Sequence, residues 1–262
     1  MSKVLVATTA ERGVALVNLF SAMGVSAEAV PVMSYMGPEN PEEIKIQVEN
    51  IDCKDHVIFV SPQSVKSFKS FVKNLKTRNI YAVGPGTAEF IKNNFNKTDH
   101  EITYPKEPGL INSAGLWDLI KNKVWKDQKV FIIRGGEGNN FLAEKLVEQG
   151  ADLIFLDLYR RQCALENRQL LWAAVLAGDD LKLVVLTSLE MIQCFFDLLE
   201  KKTLPEDLVF TSPSEAANTY LRSKGIREII LLNSMNNFLI ADQVKIFLEE
   251  INSEKWEVGN RE

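Results

Sequence analysis

Short apolar runs rich in β-formers alternate along the chain with stretches in which apolar residues recur every three or four positions. In order they are KVLVA and VALVNLFSAM, HVIFV and VKSFKSFVKNL, IYAV and TAEFIKNN, KVFII and FLAEKLVEQ, LVVLT and MIQCFFDLL, LVF and EAANTYLRS, then IIL and a long final helix. The first kind reads as strands, the second as amphipathic helices. Regular alternation of the two predicts an α/β fold with mainly parallel sheets. The strand runs are almost wholly apolar, so helices are expected on both faces of each sheet. The closing stretch NSEKWEVGNRE is polar and predicts a frayed end, with Trp256 docking on the surface.

The pattern repeats within the chain. At an offset of 126, which sets residue 129 on residue 3, KVFIIRGGEGNNFLAEKLVEQG falls on KVLVATTAERGVALVNLFSAMG. The pairs Lys3/Lys129, Val4/Val130, Glu11/Glu137, Leu16/Leu142 and Gly24/Gly150 are identical. One position further on, FVSPQSVKSF (59–68) meets LTSLEMIQCF (186–195), sharing the serine at the strand end, a β-branched residue and a phenylalanine. A third match, at an offset of 128, sets VGPGTA (83–88) on FTSPSEA (210–216), with Pro85 over Pro213. Repetition of element order predicts two related α/β halves.

Composition narrows the function. The 262 residues are 46% hydrophobic, enough for substantial cores, and carry a formal net charge of -5. That balance argues against a nucleic-acid binder, which needs a basic field to neutralise phosphates. No segment has the length of a signal peptide or a membrane span, so a cytoplasmic protein without membrane partners is expected. Cys53, Cys163 and Cys194 are odd in number and far apart, and read as buried thiols rather than a disulfide framework or zinc site. His56 and His100, the only histidines, lie in no metal-ligand spacing, so no metal site is expected.

Ligands of α/β sheets bind beyond the carboxyl ends of strands, where helix N-termini present free N–H groups. The corresponding loops are TTAERG (8–13), SPQS (61–64), GPGT (84–87), RGGEGN (134–139), TSLE (187–190) and SPSE (212–215). Their glycines let backbone approach a ligand, and their hydroxyls donate hydrogen bonds or cap the helices that follow. RGGEGN lacks both the GxGxxG spacing and a following GK[ST], which excludes a dinucleotide or P-loop reading. Tyr159, in DLYRR, ends a strand run and offers a phenol that can donate a proton or orient a polar ligand. Arg134, Arg160 and Arg161 are candidate partners for carboxylates.

Taken in order, KVLVATTAERGVALVNLFSAMG, VIFVSPQSVKSF, YAVGPGTAEFI, KVFIIRGGEGNNFLAEKLVEQGADLIFLDLYRR, VVLTSLEMIQCF and SPSEAANTYLRSKGI resemble uroporphyrinogen-III synthases over nearly the whole chain. The resemblance implies two α/β domains joined by a two-stranded linker, with the active site in the cleft between them. Domain one would comprise 1–34 plus 166–262, domain two 38–158, with linker strands at about 31–37 and 158–165.

It also implies a lyase that closes hydroxymethylbilane to uroporphyrinogen III, inverting the last pyrrole ring and losing water without metal or organic cofactor. Loss of the substrate hydroxyl gives an azafulvene-type cation, which the terminal pyrrole attacks through its substituted carbon to form a spiro intermediate. The family's tyrosine maps onto Tyr159, as catalytic residue. Thr87, Ser61, Ser64, Gly84, Arg134, Gly135, Gly136, Ser188 and Ser214 map onto substrate-binding loops, and Arg12 stands in for an arginine the family carries after its first strand. A monomer is expected, receiving its substrate by transient hand-over from the preceding pathway enzyme. The competing reading is a non-enzymatic two-domain binder of an anionic small molecule, motivated by the arginines that several of these loops lack.

Overall fold

Two units divide the chain: Met1–Ser34 with Gln162–Glu262, and Tyr35–Arg161. The computed structural model describes residues 3–107, 109–136, 139–176, 180–200 and 202–259. In the first unit the chain forms β1 (Lys3–Val6), α1 (Ala10–Ala22) and β2 (Ser26–Ala29), and resumes with α7 (Arg168–Leu176), β10 (Leu181–Val185), α8 (Leu189–Leu199), β11 (Val209–Ser212), α9 (Glu215–Ser223), β12 (Ile229–Leu231) and α10 (Asn237–Gly259). The second holds α2 (Pro41–Glu49), β4 (His56–Phe59), α3 (Pro62–Lys69), β5 (Asn79–Ala82), α4 (Pro85–Phe95), β6 (Ile102–Thr103), α5 (Ser113–Ile120), β7 (Lys129–Arg134), α6 (Phe141–Glu148) and β8 (Asp152–Asp157). The division falls within β3 (Met33–Met36) and β9 (Arg160–Cys163), which pair as a two-stranded sheet.

Each unit is built on a five-stranded sheet, ordered β12-β11-β10-β1-β2 in the first and β6-β5-β4-β7-β8 in the second. All ladders within these two sheets are parallel. Side chains alternate across a strand, so a continuous apolar run feeds two cores. In the second unit Val57 and Phe59 pack with Val65, Phe68 and Ile91 of α3 and α4. The intervening Ile58 turns to the opposite face, against Leu116, Ile120, Leu142 and Leu146 of α5 and α6. The first unit repeats the device: Leu5, Val184 and Phe210 meet Ile192, Phe195 and Leu221, while Val4, Val6 and Val185 meet Phe20, Ile240 and Val244. This double burial is why the strands read as apolar without alternation.

The internal repeat is present down to individual hydrogen bonds. Lys3 is in register with Ser26 as Lys129 is with Asp152. Val32 N donates to Thr8 O at 3.0 Å, and Leu158 N to Arg134 O at 2.9 Å, the same pair 126 residues on. Gly24 and Gly150 end their helices in the left-handed region, at φ 76° and 82°, where a side chain would be strained. The halves differ in how the chain enters: the second unit is continuous, whereas the first takes β1 and β2 from the start of the chain and the other three strands from its end.

Four sequence expectations are corrected. Pro85 and Pro213 are not equivalent: Pro85 opens α4 behind the cap residue Gly84, whereas Pro213 precedes the cap residue Ser214 of α9. The cysteines are not three buried thiols, because Cys163 of β9 and Cys194 of α8 form a disulfide with Cα atoms 5.1 Å apart, and Cys53 is exposed. Their separation of 31 residues spans α7 and β10, and only the packing of α8 beside β9 brings them together. Helix α10 runs on to Gly259 through most of the stretch expected to fray; the side chain of Trp256 lies outside the described residues. Helices α2 and α5 are absent from the alternation pattern, α2 because Val48 is its only fully buried residue, with Ile44 half-buried and most of the rest polar.

Candidate active site

In the second sheet the chain leaves β4 toward β5 on one side, and β7 lies on the other. This reversal of strand order opens a crevice at the carboxyl ends of β4 and β7, the place where open α/β sheets bind ligands. A cavity of about 300 Å³ lies there, lined by Val60 and Ser61 after β4, by Arg134 at the end of β7 with Gly135 and Gly136 after it, and by Tyr159 and Arg161. Ile132, Leu142 and Phe155 give it apolar walls, while Ser113 and Asn139 add polar groups at the starts of α5 and α6.

Tyr159 is the centre of this site. It follows β8 and is 2% exposed, with its ring against Gly135 and its hydroxyl 3.0 Å from Ser61 Oγ. A β-carbon on Gly135 would sit 2.1 Å from Tyr159 Cε2, so the first glycine of the RGG turn is required by the tyrosine ring. The second, Gly136, has φ 59° and turns the chain toward α6. Glu137 and Gly138, also in this loop, lie outside the described residues.

Ser61 caps α3. Its Oγ accepts the Ser64 N–H at 3.1 Å, and Ser64 Oγ both accepts the Ser61 N–H at 3.2 Å and donates to Ser61 O at 2.6 Å. Ser64 is fully buried, so its hydroxyl serves this capping box instead of offering a donor to the cavity. The helix nevertheless directs its N-terminal partial positive charge at the Ser61–Tyr159 pair.

Arg134 is held in plane. Its Nε donates to Asp157 Oδ1 at 2.8 Å and Nη1 to Asn140 Oδ1 at 3.1 Å, and the guanidinium lies 3.7 Å from the centre of the Phe155 ring. These contacts engage two of its five N–H donors and pair its charge with Asp157, fixing the guanidinium in the wall of the cavity. Arg160 points elsewhere, into an ion pair with Glu39.

The remaining sequence candidates are not part of this cavity. Gly84 and Thr87 occupy the first turn of α4, with Thr87 buried and Gly84 packed under Ile111. Ser188 and Ser214 cap α8 and α9 in the first unit, accepting N–H groups of Met191 and Ala217. Arg12 Nε donates to Asn237 Oδ1 at 2.9 Å and Nη2 to Met235 O, tying α1 to the start of α10. The arginine expected to meet substrate thus also has a structural employment. Sequence reasoning missed Ser113 and Phe155, whose place in the cavity depends on which loops adjoin; Asn139 lies in the RGGEGN loop already singled out.

Among the described residues no group of three or more His, Cys, Asp or Glu could hold a metal ion, and no helix is long and apolar enough to cross a membrane.

Similarity to known proteins follows the same lines. The fold resembles a solved mutant uroporphyrinogen III synthase from the extremely thermophilic bacterium Thermus thermophilus, with a TM-score of 0.56 and 15% identity over 97% of this chain and 100% of the other. It also resembles the uroporphyrinogen-III synthetase of Helicobacter pylori, with a TM-score of 0.52 and 13% identity over 95% and 99% of the two chains. No individually curated protein matches significantly. A family model described as "Uroporphyrinogen-III synthase HemD" matches residues 14–234, most of the chain. With that match added to the shared two-unit fold, the chain belongs to the uroporphyrinogen-III synthase family.

Proposed function

We propose that the chain, a lyase of tetrapyrrole biosynthesis by its family, closes hydroxymethylbilane to uroporphyrinogen III with Tyr159 as the proton donor to the departing hydroxyl. The observation that carries the residue assignment is the hydrogen bond between Tyr159 OH and Ser61 Oγ in the wall of the switch-point cavity. Either hydroxyl of this pair can donate; in the direction the reaction uses, Ser61 Oγ accepts the Ser64 N–H and gives its own proton to the phenol oxygen. The phenol proton is then free to point at a ligand. Once that proton has left with the hydroxyl as water, the phenolate is held by the Ser61 hydroxyl and by the N-terminus of α3. The proton that the substrate carbon loses on ring closure restores the phenol.

The rest of the site positions. Closure without a template joins the wrong carbon, so the enzyme must fold the substrate into one conformation before the cation is consumed, and orientation carries most of the effect. Arg134 supplies a fixed cation for a substrate carboxylate, and Gly135 and Gly136 let backbone N–H groups approach. Gly84, Thr87, Ser188, Ser214 and Arg12 remain proposed substrate contacts through the backbone at their helix starts or through their side chains. The same reading has the enzyme acting as a cytoplasmic monomer, supplied with hydroxymethylbilane by the preceding enzyme.

The test is to supply hydroxymethylbilane and separate the product isomers. An excess of the type III isomer over the uncatalysed mixture is expected, whereas product consisting only of the type I isomer would exclude the synthase reading.

A further inference from the structure

We propose that Tyr35 is a positioning residue that locks the Tyr159 ring in its cavity-facing orientation; this rests on the reading of Tyr159 as proton donor. Tyr159 belongs to the second unit's core, and within it three specific contacts bear on the ring: Ser61 at the hydroxyl, Gly135 against the ring, and the ring of Tyr35, whose centroid is 5.4 Å away at an interplanar angle of 89°. This is the edge-to-face geometry that the quadrupoles of two aromatic rings favour. The Ser61 bond holds the phenol oxygen, and Gly135 and the second unit's core pack against the ring. The perpendicular Tyr35 ring adds the contact that fixes the tilt of the ring toward the cavity.

Tyr35 lies on β3, two residues beyond Met33 and therefore on the same face of the strand. It is 39% exposed, whereas Tyr159 is 2% exposed. Tyr35 is thus a partly solvated cover on a buried catalytic group, contributed by a different segment from the cavity loops. Its replacement removes little core packing, so an effect on turnover separates from an effect on folding.

The experiment compares Tyr35→Phe, Tyr35→Leu, Tyr35→Ala, Tyr159→Phe and the double variant Tyr35→Ala/Tyr159→Phe in steady-state assays with hydroxymethylbilane, alongside thermal midpoints. The expected result is a fall in kcat of about tenfold in Tyr35→Ala and Tyr35→Leu, the factor that loss of one aromatic pair makes in an orientation equilibrium. KM should stay within about twofold because substrate contacts are untouched. Tyr35→Phe keeps the ring and should keep the rate, and the double variant should be no slower than Tyr159→Phe alone. Unchanged kcat in Tyr35→Ala, alongside a slow Tyr159→Phe, overturns the positioning role and leaves the proton donor standing. A Tyr35→Phe variant as slow as Tyr35→Ala overturns it as well, since the hydroxyl would then be what matters. A multiplicative loss in the double variant overturns it by showing that Tyr35 acts independently. Wild-type turnover in Tyr159→Phe removes the donor itself and, with it, the role of Tyr35. If Tyr35→Ala lowers the thermal midpoint, Tyr35→Leu, which retains most of the buried volume, decides between the outcomes.

Discussion

The ring of Tyr159 fills the space that a side chain on Gly135 would need: a β-carbon there would lie 2.1 to 2.5 Å from three of its ring atoms. The glycine and the tyrosine, 24 positions apart along a chain in which residue 135 precedes residue 159, are thus one structural feature. Gly135→Ala should displace the ring, lower stability by about 1–3 kcal/mol as overpacking does, and reduce turnover by more than KM. Urea denaturation beside a kinetic assay checks this. Full stability with full activity would mean that the ring has an equivalent alternative position.

Ser61 has two employments, and comparison with a substitution at Ser64 separates them. Ser61→Ala removes the cap on α3, at a cost of about 1 kcal/mol. It also removes the partner of the Tyr159 hydroxyl, so kcat should fall further than the stability change explains. Ser64→Ala disturbs the same capping box without touching the phenol. Similar kcat values for the two variants would reduce Ser61 to a helix cap.

A polar cluster at the amino end of β4 should make stability depend on pH. His56 Nδ1 is 2.9 Å from Tyr81 OH, and the His56 ring packs against Trp125. Burial holds the His56 pKa below its usual 6.5, with the Lys123 charge adding to the effect and Gln128 and Asp55 opposing it. Burial also pushes the Tyr81 hydroxyl up to about 12, so the phenol keeps its proton beside the imidazole. The depressed pKa means that the unfolded chain binds the His56 proton first. The stability contributed by the neutral ring is present above pH 6.5 and is lost as pH falls through the lower folded value. Chemical denaturation from about pH 7.5 down to about pH 5 should show this decline, and His56→Gln should flatten it. An equal decline in the variant would assign the effect to other groups.

The Cys163–Cys194 disulfide closes a loop across α7, β10 and α8 in the first unit. Reduction should destabilise that unit by about 2–4 kcal/mol, read as a lower urea midpoint with dithiothreitol than without it. The Cys163→Ser/Cys194→Ser double variant should match the reduced protein and ignore the reductant. A wild-type midpoint that does not move on reduction would show that the bond adds nothing to stability.

Much of the architecture is legible in the sequence because strands buried on both faces must be apolar throughout, which sets β4, β7 and β10 apart from their surroundings. The offset of 126 is likewise visible, since helix ends such as Gly24 and Gly150 demand a residue that tolerates positive φ. Other features depend on packing that no local pattern records. Ser61, Ser64, Ser188 and Ser214 look alike as loop hydroxyls, yet Ser64 is buried in a cap and only Ser61 meets Tyr159. The matched prolines at 85 and 213 fall on opposite sides of their caps, because both turns are rich in small residues and proline and composition does not mark which residue caps the helix. Gly135 reads as a ligand contact in the sequence, whereas its missing side chain is first of all room for an aromatic ring.

The repeat has one further consequence at a mismatch of chemical kind. Met33 follows Val32 as Tyr159 follows Leu158, in matching backbone hydrogen bonds to Thr8 and Arg134. One half therefore presents an inert thioether where the other presents a weak acid. Of the two matching strand ends, only the one that carries Tyr159 can protonate a leaving group on the proposed reading. Protonation of the leaving hydroxyl, on that reading, is chemistry of the second unit alone.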